Sequence, residues 1–216
     1  MIKVVSFDLD GTLVKSTYAD KVWLEGLPKI YSKEKNIKID QAKSYIYDLY
    51  EKVGEDRKEW YDIEWWFNKF QLKSSWQKLL DSYANYIELF PETYETLEIL
   101  SKKFLLIIIS NAKKEFIEIQ LQKTGIKPFF KHVFSSLSDF DLVKKTPEVY
   151  KNVLKLLKIR PGEIIHVGDN FEFDFKSPQR ICINSFYLNR KKSKKENQVI
   201  FSLSEIENIF RNKLEN

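Results

Sequence analysis

The spacing of hydrophobic residues divides this 216-residue chain into three parts. Val4, Val5 and Phe7 predict a short buried strand near the N-terminus. From residue 15 to residue 88, apolar side chains recur every three or four residues, which is typical of helices. From residue 89 onward, short apolar runs alternate with helical stripes, and this alternation indicates parallel βαβ units.

The middle part carries helical signals alone. Its clearest stripe runs through residues 39–53 and stops at Gly54, a residue type that favours a helix C-terminus. Four helices without a strand signal predict a small bundle inserted into another fold. All five tryptophans lie in this part. Trp65 and Trp66 are adjacent and cannot share one narrow buried stripe, so we expect one of them to face the cleft or the other domain.

The last part supplies most of the predicted sheet. Candidate strands follow at residues 104–109, 132–134, 163–167 and 183–188, and a final helix at residues 203–210. Together with the first strand they predict an α/β fold with a doubly wound parallel sheet. We expect residues 1–14 and 89–216 to form this core and residues 15–88 to form the helical insertion.

Composition limits the kinds of partner. Lys and Arg number 36 against 31 Asp and Glu, and this mildly basic balance favours anionic ligands such as phosphates. The lysines are spread out, and the one dense cluster, residues 190–195, is typical of a solvated loop, so no nucleic-acid partner is expected. Residues 104–109 form the longest apolar run, too short to span a bilayer, and no leader is evident, which predicts a cytoplasmic protein without a membrane partner. The single cysteine, Cys182, excludes an internal disulfide and is expected to be a small core residue.

Two carboxylates follow the first strand. Asp8 and Asp10 are separated by one residue, so in extended chain their side chains point to the same side, and Gly11 lets the backbone turn away. Two like charges held this close repel each other, and a divalent cation is the simplest partner that would stabilise them. A turn with two solvated aspartates is the alternative.

Further polar residues follow the other candidate strands. Ser110 and Asn111 end the second, Lys144 and Lys145 precede the helix after the third, and Asp169 follows the fourth. The carboxyl ends of parallel strands meet at one crevice, so these groups are expected to converge there with the first two carboxylates. His166 lies within a strand and is predicted to be a core histidine with its hydrogen bonds satisfied, not a catalytic base.

These residues also resemble the motifs of a known family. Asp8-Leu9-Asp10-Gly11-Thr12 is similar to motif I of the haloacid dehalogenase-like hydrolases, and Ser110-Asn111 to motif II. Residues 144–148 resemble motif III, with Lys145 where the family usually has proline, and Gly168-Asp169 with Asp174 resembles motif IV. The resemblance implies a Rossmann-like core, and the helical insertion lies where this family places its type 1 cap.

The resemblance also implies roles for these residues. Asp8 would attack phosphorus and form an aspartyl-phosphate, while Asp10 would act as general acid and then general base. Mg²⁺ would be held by the Asp8 carboxylate, the Asp10 carbonyl and Asp169. The implied phosphate-binding residues are Thr12, Ser110, Asn111 and Lys144, with Lys145 as the rival of Lys144. Asp174 would orient Lys144 or a metal-bound water.

The expected function is therefore Mg²⁺-dependent hydrolysis of a small phosphorylated metabolite. A metal-independent 2-haloacid dehalogenase is one alternative, but members of that branch lack an aspartate at the position of Asp10. A phosphomutase and a non-catalytic binding protein of the same fold also stay open, as do a monomer and a homodimer. The cap is expected to close on hinges near residues 15–17 and 86–91. Tyr18, Lys21 and Trp65 are candidates for substrate choice.

Overall fold

The computed structural model describes residues 1–191, 196–207 and 209. Its centre is a six-stranded sheet in the order β3-β2-β1-β4-β5-β6, in which every neighbouring pair is parallel. The strands are β1 Val4–Phe7, β2 Leu105–Ser110, β3 Phe130–Ser135, β4 Ile164–Gly168, β5 Asn184–Leu188 and β6 Val199–Ile200. The predicted α/β fold with a doubly wound parallel sheet is confirmed.

The first strand lies in the middle of the sheet. Val4 pairs with Leu105 on one side and with Ile164 on the other, and every residue of β1 is buried. An apolar strand without polar alternation suits this position because helices cover both faces of a parallel sheet. The chain winds outward in both directions from β1 and β4, and this switch point is where such sheets hold ligands.

Ten α-helices lie with both ends inside the described residues. They are α1 Thr17–Lys21, α2 Leu27–Lys35, α3 Ile39–Val53, α4 Ile63–Lys69, α5 Trp76–Tyr83, α6 Thr93–Ser101, α7 Lys114–Thr124, α8 Ser136–Phe140, α9 Pro147–Leu157 and α10 Ser177–Gln179. The first six lie between β1 and β2. Five of them, α1–α5, lie in residues 15–88, where the periodicity predicts four, so the insertion is helical as expected but has one helix more. Gly54 ends α3 with φ 76°, a conformation that glycine adopts without a steric penalty. No described helix is long and apolar enough to cross a membrane.

One large hydrophobic cluster joins the sheet to the helical segment. It contains Phe7 and Ile108 from the strands together with Trp66 and Leu80 from the helices. A smaller cluster on the other face of the sheet packs α9 against Val4, Ile107 and Ile109. The sheet is therefore covered on both faces, and the helical segment is an extension of one of its two cores.

The two connections between the sheet and the helical segment run side by side. Val14 and Leu89 form an antiparallel bridge. The Lys15 amide donates to the Glu88 carbonyl at 2.9 Å, and the Phe90 amide donates to the Leu13 carbonyl at 3.2 Å. Both connections lie next to the regions predicted as hinges.

Several local expectations differ from the structure. The short strand β6 was not predicted, and Cys182 is exposed with φ 63° in the turn before β5, so its prediction as a core residue was wrong. Residues 204–207 and 209 are helical, while residues 208 and 210 of the predicted final helix lie outside the described residues. Residues 192–195 of the basic run also lie outside them.

Arg190, the first residue of that basic run, is bound to the turn after β1 and to the segment before α6 instead of being solvated. Its guanidinium lies 3.4 Å from the centroid of the Phe90 ring and donates to the Thr12 carbonyl at 2.7 Å and to Glu92 at 2.7 Å. A planar cation with several donors satisfies an aromatic face, a carbonyl and a carboxylate together. Arg190 therefore fixes the backbone just after the Asp8–Asp10 turn.

Candidate active site

Three carboxylates meet at the carboxyl ends of β1 and β4. Asp8, Asp169 and Asp174 each place an oxygen within 4.8 Å of the other two. The glycines beside them make this approach possible, because a Cβ at Gly11 would overlap the Asp169 carboxylate and one at Gly168 would overlap Asp174. Gly11 also has φ +82°, which glycine adopts most easily.

A buried ammonium group lies between two of these carboxylates. The Nζ of Lys145 contacts an oxygen of Asp8 and lies 2.5 Å from one of Asp174, and the Lys145 side chain is only 2% exposed. The Lys145 backbone amide donates to the Asn111 side-chain oxygen at 2.7 Å. That hydrogen bond fixes the direction in which the loop after β3 presents its side chains.

Lys144 points the other way. Its Nζ pairs with Asp56 at 2.8 Å and with Glu55 at 3.2 Å, both in the helical segment. The Thr146 amide donates to the Lys144 carbonyl at 2.7 Å, so the chain turns tightly here, and of the two adjacent lysines only Lys145 reaches the carboxylates. The expectation that Lys144 lies in the site was therefore wrong, and its rival Lys145 takes that place.

Asp174 is held by three partners. His166 contacts it at 3.0 Å through Nε2, the Asn170 amide donates to it at 3.0 Å, and Lys145 contacts it from the site. His166 is fully buried, and its Nδ1 lies 2.8 Å from the Ser6 hydroxyl. The prediction of a satisfied core histidine is confirmed. The lysine that Asp174 orients is Lys145, not Lys144.

Burial and charge shift the acid–base properties of this cluster. Burial raises the pKa of Asp8 well above its usual value, against the opposing effect of the Lys145 ammonium. It also raises the pKa of Asp169, and the charge of Asp174 adds to that effect. Burial acts to lower the pKa of Lys145, but the carboxylates of Asp174 and Asp8 together raise it above its usual value. Burial thus opposes the charged forms of Asp8 and Asp169, while Lys145 stays protonated between Asp8 and Asp174.

Asp10 has a different environment from Asp8. It lines the same cavity, and burial raises its pKa to about 6. One of its oxygens is buried without a hydrogen-bond partner among the described residues. The fully buried amide of Gln120, on α7, acts to lower the pKa of Asp10. Sequence reasoning missed Gln120, although a polar residue one turn after the buried Phe116 was a usable signal.

The three predicted phosphate-binding groups outside the lysines differ in position. Ser110 and Asn111 line the cavity, and the Ser110 hydroxyl accepts a hydrogen bond from the Ala112 amide at 3.1 Å. Thr12 is fully buried, and its hydroxyl lies 3.2 Å from Asp169 and 3.4 Å from Asp8. Thr12 was expected to bind phosphate from the cavity. Its hydroxyl instead contacts the two carboxylates and does not line the cavity.

A cavity of about 440 Å³ lies above the carboxylates and under the helical segment. Its helical wall includes the aromatic residues Trp23, Tyr50, Trp60 and Tyr61. None of the three predicted specificity residues lines it. Tyr18 is fully buried and its hydroxyl donates to the Leu80 carbonyl, Lys21 pairs with Glu25, and Trp65 packs on Trp66 and Lys69. Neither Trp65 nor Trp66 lines the cavity.

The helical segment is closed over the strand ends. Lys113, at the start of α7, pairs with Asp62 at 2.9 Å, and Lys58 pairs with Asp141. The rings of Trp23 and Phe116 stack at 5.7 Å with an interplanar angle of 6°. These contacts, with the pairing of Lys144 to Asp56, enclose the cavity between the two parts of the chain.

Comparison with known proteins agrees with this arrangement. The family model described as haloacid dehalogenase-like hydrolase matches residues 2–180. The chain is 26% identical over 189 residues to Pyrophosphatase PpaX of Oceanobacillus iheyensis, covering 85% of this chain and 82% of that protein. It is 27% identical over 176 residues to Pyrophosphatase PpaX of Bacillus cereus, covering 78% and 75%.

Solved structures share the fold over nearly the whole length. A HAD phosphatase from Thermococcus onnurineus superposes with a TM-score of 0.84 at 25% identity, covering 97% of this chain and 98% of that one. A 2-haloacid dehalogenase from Pseudomonas syringae gives a TM-score of 0.72 at 21% identity, covering 98% and 99%. At that identity the second likeness concerns the fold alone.

Proposed function

This chain belongs to the haloacid dehalogenase-like hydrolases, and within that family we propose that it is a Mg²⁺-dependent phosphomonoester hydrolase with an aspartyl-phosphate intermediate. The observation that carries the proposal is the pair Asp8 and Asp10, which line one cavity with Lys145 against Asp8. We also propose that residues 1–14 and 89–216 are the core domain and residues 15–88 the cap. The phosphatase and pyrophosphatase relatives support phosphate chemistry.

The nucleophile in this proposal is Asp8. Its carboxylate attacks phosphorus, the P–O bond to the leaving group breaks, and an acyl phosphate forms on Asp8. Asp10 gives its proton to the departing oxygen, and then takes a proton from the water that hydrolyses the acyl phosphate. A carboxyl group whose pKa lies near 6 suits both transfers close to neutral pH.

Three groups are positioned to bind the phosphoryl oxygens. The Ser110 hydroxyl and Asn111 line the cavity, and the Lys145 ammonium reaches it beside Asp8. Donors fixed in a water-poor site stabilise the charge that develops on those oxygens in the transition state. Asp174 and Asn111 hold Lys145 in place from two sides. Lys145 thus takes the role that the motif alone gave to Lys144.

The carboxylate cluster fits Mg²⁺. All its donors are oxygens, the ligand type that this ion prefers. Burial raises the pKa of Asp8 and of Asp169 because it disfavours their charged forms, and a bound cation would stabilise those forms. We propose that Asp8, Asp169 and the Asp10 carbonyl hold the ion. The Asp174 oxygens already accept from His166, Asn170 and Lys145, so Asp174 supports the site without ligating. Bound Mg²⁺ would offset the charge of the carboxylates and of the phosphoryl group.

A haloacid dehalogenase would not need Asp10 as a general acid. A departing halide needs no proton, whereas a departing alkoxide does. The cavity position and near-neutral pKa of Asp10 therefore favour phosphate over halide as the substrate group.

The test measures phosphate release from p-nitrophenyl phosphate with Mg²⁺ and with EDTA, beside chloride release from 2-chloropropionate. We expect phosphate release that depends on Mg²⁺ and is abolished in Asp8→Asn and in Asp10→Asn. Normal turnover in either variant would overturn the mechanism. Chloride release without metal would replace the phosphatase with a dehalogenase.

A further inference from the structure

The helical wall of the cavity is a connected set of aromatic rings. Trp23 stacks on Phe116 and meets Tyr50 edge-on at 6.1 Å, and Tyr50 lies 5.8 Å from Trp60. The Tyr50 hydroxyl donates to the Trp23 carbonyl at 3.1 Å, which fixes both residues. Rings held by one another lose little freedom when a ligand binds, so this wall is pre-organised for a flat apolar group.

The same wall offers no cation to a second anionic group. Among the cavity-lining residues that the structure describes, Lys145 and Lys113 are the cations. Lys145 is bound to Asp8 and Asp174, and Lys113 is paired with Asp62. The charged residue that the helices add to the wall is Asp20, a carboxylate.

A second phosphate requires what this wall lacks. Pyrophosphate carries one phosphoryl group to the carboxylate cluster and leaves the other against the opposite wall. Bound Mg²⁺ would offset charge at the carboxylate cluster, but a second group at the opposite wall normally needs Arg or Lys side chains or helix N-termini as well, because its charge must be stabilised out of water. Here it would meet tryptophan rings and the Asp20 carboxylate.

On the premise that the chain is the phosphomonoesterase proposed above, we infer that its substrate has a planar, apolar leaving group, best an aromatic ring, and that pyrophosphate is a poor substrate. The ring lies against Trp23, Trp60 and Tyr61, while the phosphate lies at Asp8. The inference separates this chain from the proteins named pyrophosphatase to which it is similar.

Binding to the Asp8→Asn protein tests this without turnover. Titration calorimetry with Mg²⁺ compares 1-naphthyl phosphate, methyl phosphate and pyrophosphate. We expect naphthyl phosphate to bind at least about tenfold more tightly than either of the others, since a buried aromatic group adds both area and ring contacts. Pyrophosphate binding as tightly as naphthyl phosphate would overturn the inference.

Substitutions in the same background locate the contact. Trp60→Leu should weaken naphthyl phosphate about 3- to 10-fold and leave methyl phosphate unchanged, whereas Trp60→Phe retains most of the affinity. Trp65→Leu is the matched control, because Trp65 packs on Trp66 and Lys69 outside the cavity. Equal losses in Trp60→Leu and Trp65→Leu would show a general effect on the cap and contradict the contact.

The wild-type protein separates this inference from the proposed function. Mg²⁺-dependent hydrolysis with pyrophosphate preferred over aryl phosphates would support the proposed phosphohydrolase activity and contradict the inference of an aromatic leaving group. Selective binding of naphthyl phosphate without hydrolysis of any phosphate ester would support the inferred selectivity of the cavity and contradict the proposed phosphatase activity.

Discussion

The strand ends place Asp8, Asp169 and Lys145 on one side of the cavity, whereas the helices place Trp23 and Trp60 on the other. The first side is charged, buried and tied together by short polar contacts. The second is aromatic, and its rings are fixed by packing. In the proposed function the strand-end wall carries out the reaction, and in the further inference the helical wall selects the substrate. Substitutions on the two sides should differ in kind as well as in size.

The largest effect should come from Asp8, the proposed nucleophile. Asp8→Asn keeps the volume of the side chain but removes its charge, so we expect turnover of p-nitrophenyl phosphate to fall by at least about 10³-fold. Asp20→Asn is the control on the opposite wall, and its effect should stay below about threefold. Phosphate release measures both. Comparable losses in the two variants would remove the distinction between the walls.

The adjacent lysines give the next largest contrast. Lys145→Met removes the proposed donor to the phosphoryl oxygens and leaves the buried Asp8 carboxylate without its ion pair, so we expect a loss of about 10²-fold in kcat/KM and a lower Tm. Lys144→Met breaks ion pairs with the exposed side chains of Asp56 and Glu55 and should cost less than about fivefold. Steady-state kinetics and thermal unfolding distinguish them. A larger loss of kcat/KM in Lys144→Met than in Lys145→Met would indicate that Lys144 is the lysine of the site.

Each ion pair between the two walls should contribute little to the free energy of unfolding. Lys113 and Asp62 are partly exposed, with side-chain exposures of 18% and 29%, so solvent screens the pair. A double-mutant cycle with Lys113→Met and Asp62→Asn should give a coupling of about 0.5–1 kcal/mol in the free energy of unfolding. Higher salt should shrink that coupling. A coupling that salt leaves unchanged would speak against this account.

The smallest effect on activity is expected at the opposite end of the sheet. Glu163, just before β4, accepts from the Arg160 amide at 2.8 Å and pairs with Lys3 at 2.7 Å, and these hydrogen bonds lower its pKa from 4.5 to about 2. A lowered carboxyl pKa contributes stability above the unfolded value, and that stability is lost as pH falls through the folded one. Between pH 4.5 and about 2, Tm should therefore fall less steeply in Glu163→Gln than in the wild type.

Activity at neutral pH provides the matched readout for Glu163→Gln. Glu163 lies at the amino ends of the strands, away from the cavity, so phosphate release should match that of the wild type. If Tm fell equally steeply with pH in the two proteins, the stabilising hydrogen bonds assigned to the Glu163 carboxylate would be contradicted.

Much of the charged wall was predictable from sequence because strand ends are a local property. Asp8 and Asp169 follow runs of apolar residues, and a parallel sheet brings such positions together whatever the loops do. The choice between Lys144 and Lys145 was not local. It depends on a hydrogen bond from the Lys145 amide to Asn111, across a separation of 34 residues.

The aromatic wall was beyond the reach of periodicity. A helical stripe identifies which residues are buried, but not which of them border a cavity. Trp23 lies in a π-helical turn, Val22–Gly26, and Trp60 in a 3₁₀ turn, Lys58–Tyr61, and neither position follows from a regular stripe. Arg190 shows the same limit, because its partners Phe90 and Thr12 are far away in the chain.

The paired connections at Val14 and Leu89 have a consequence for how this protein tolerates change. The chain leaves the sheet and returns to it at neighbouring points, so the helical segment is an insertion with both ends at one place. Its length can change without moving a strand, since the ends to be joined already lie side by side, provided that the helices still cover the hydrophobic cluster that contains Phe7 and Ile108. A short turn could therefore link residues 14 and 89 directly. A different set of helices between these residues would place a different wall opposite the same carboxylates.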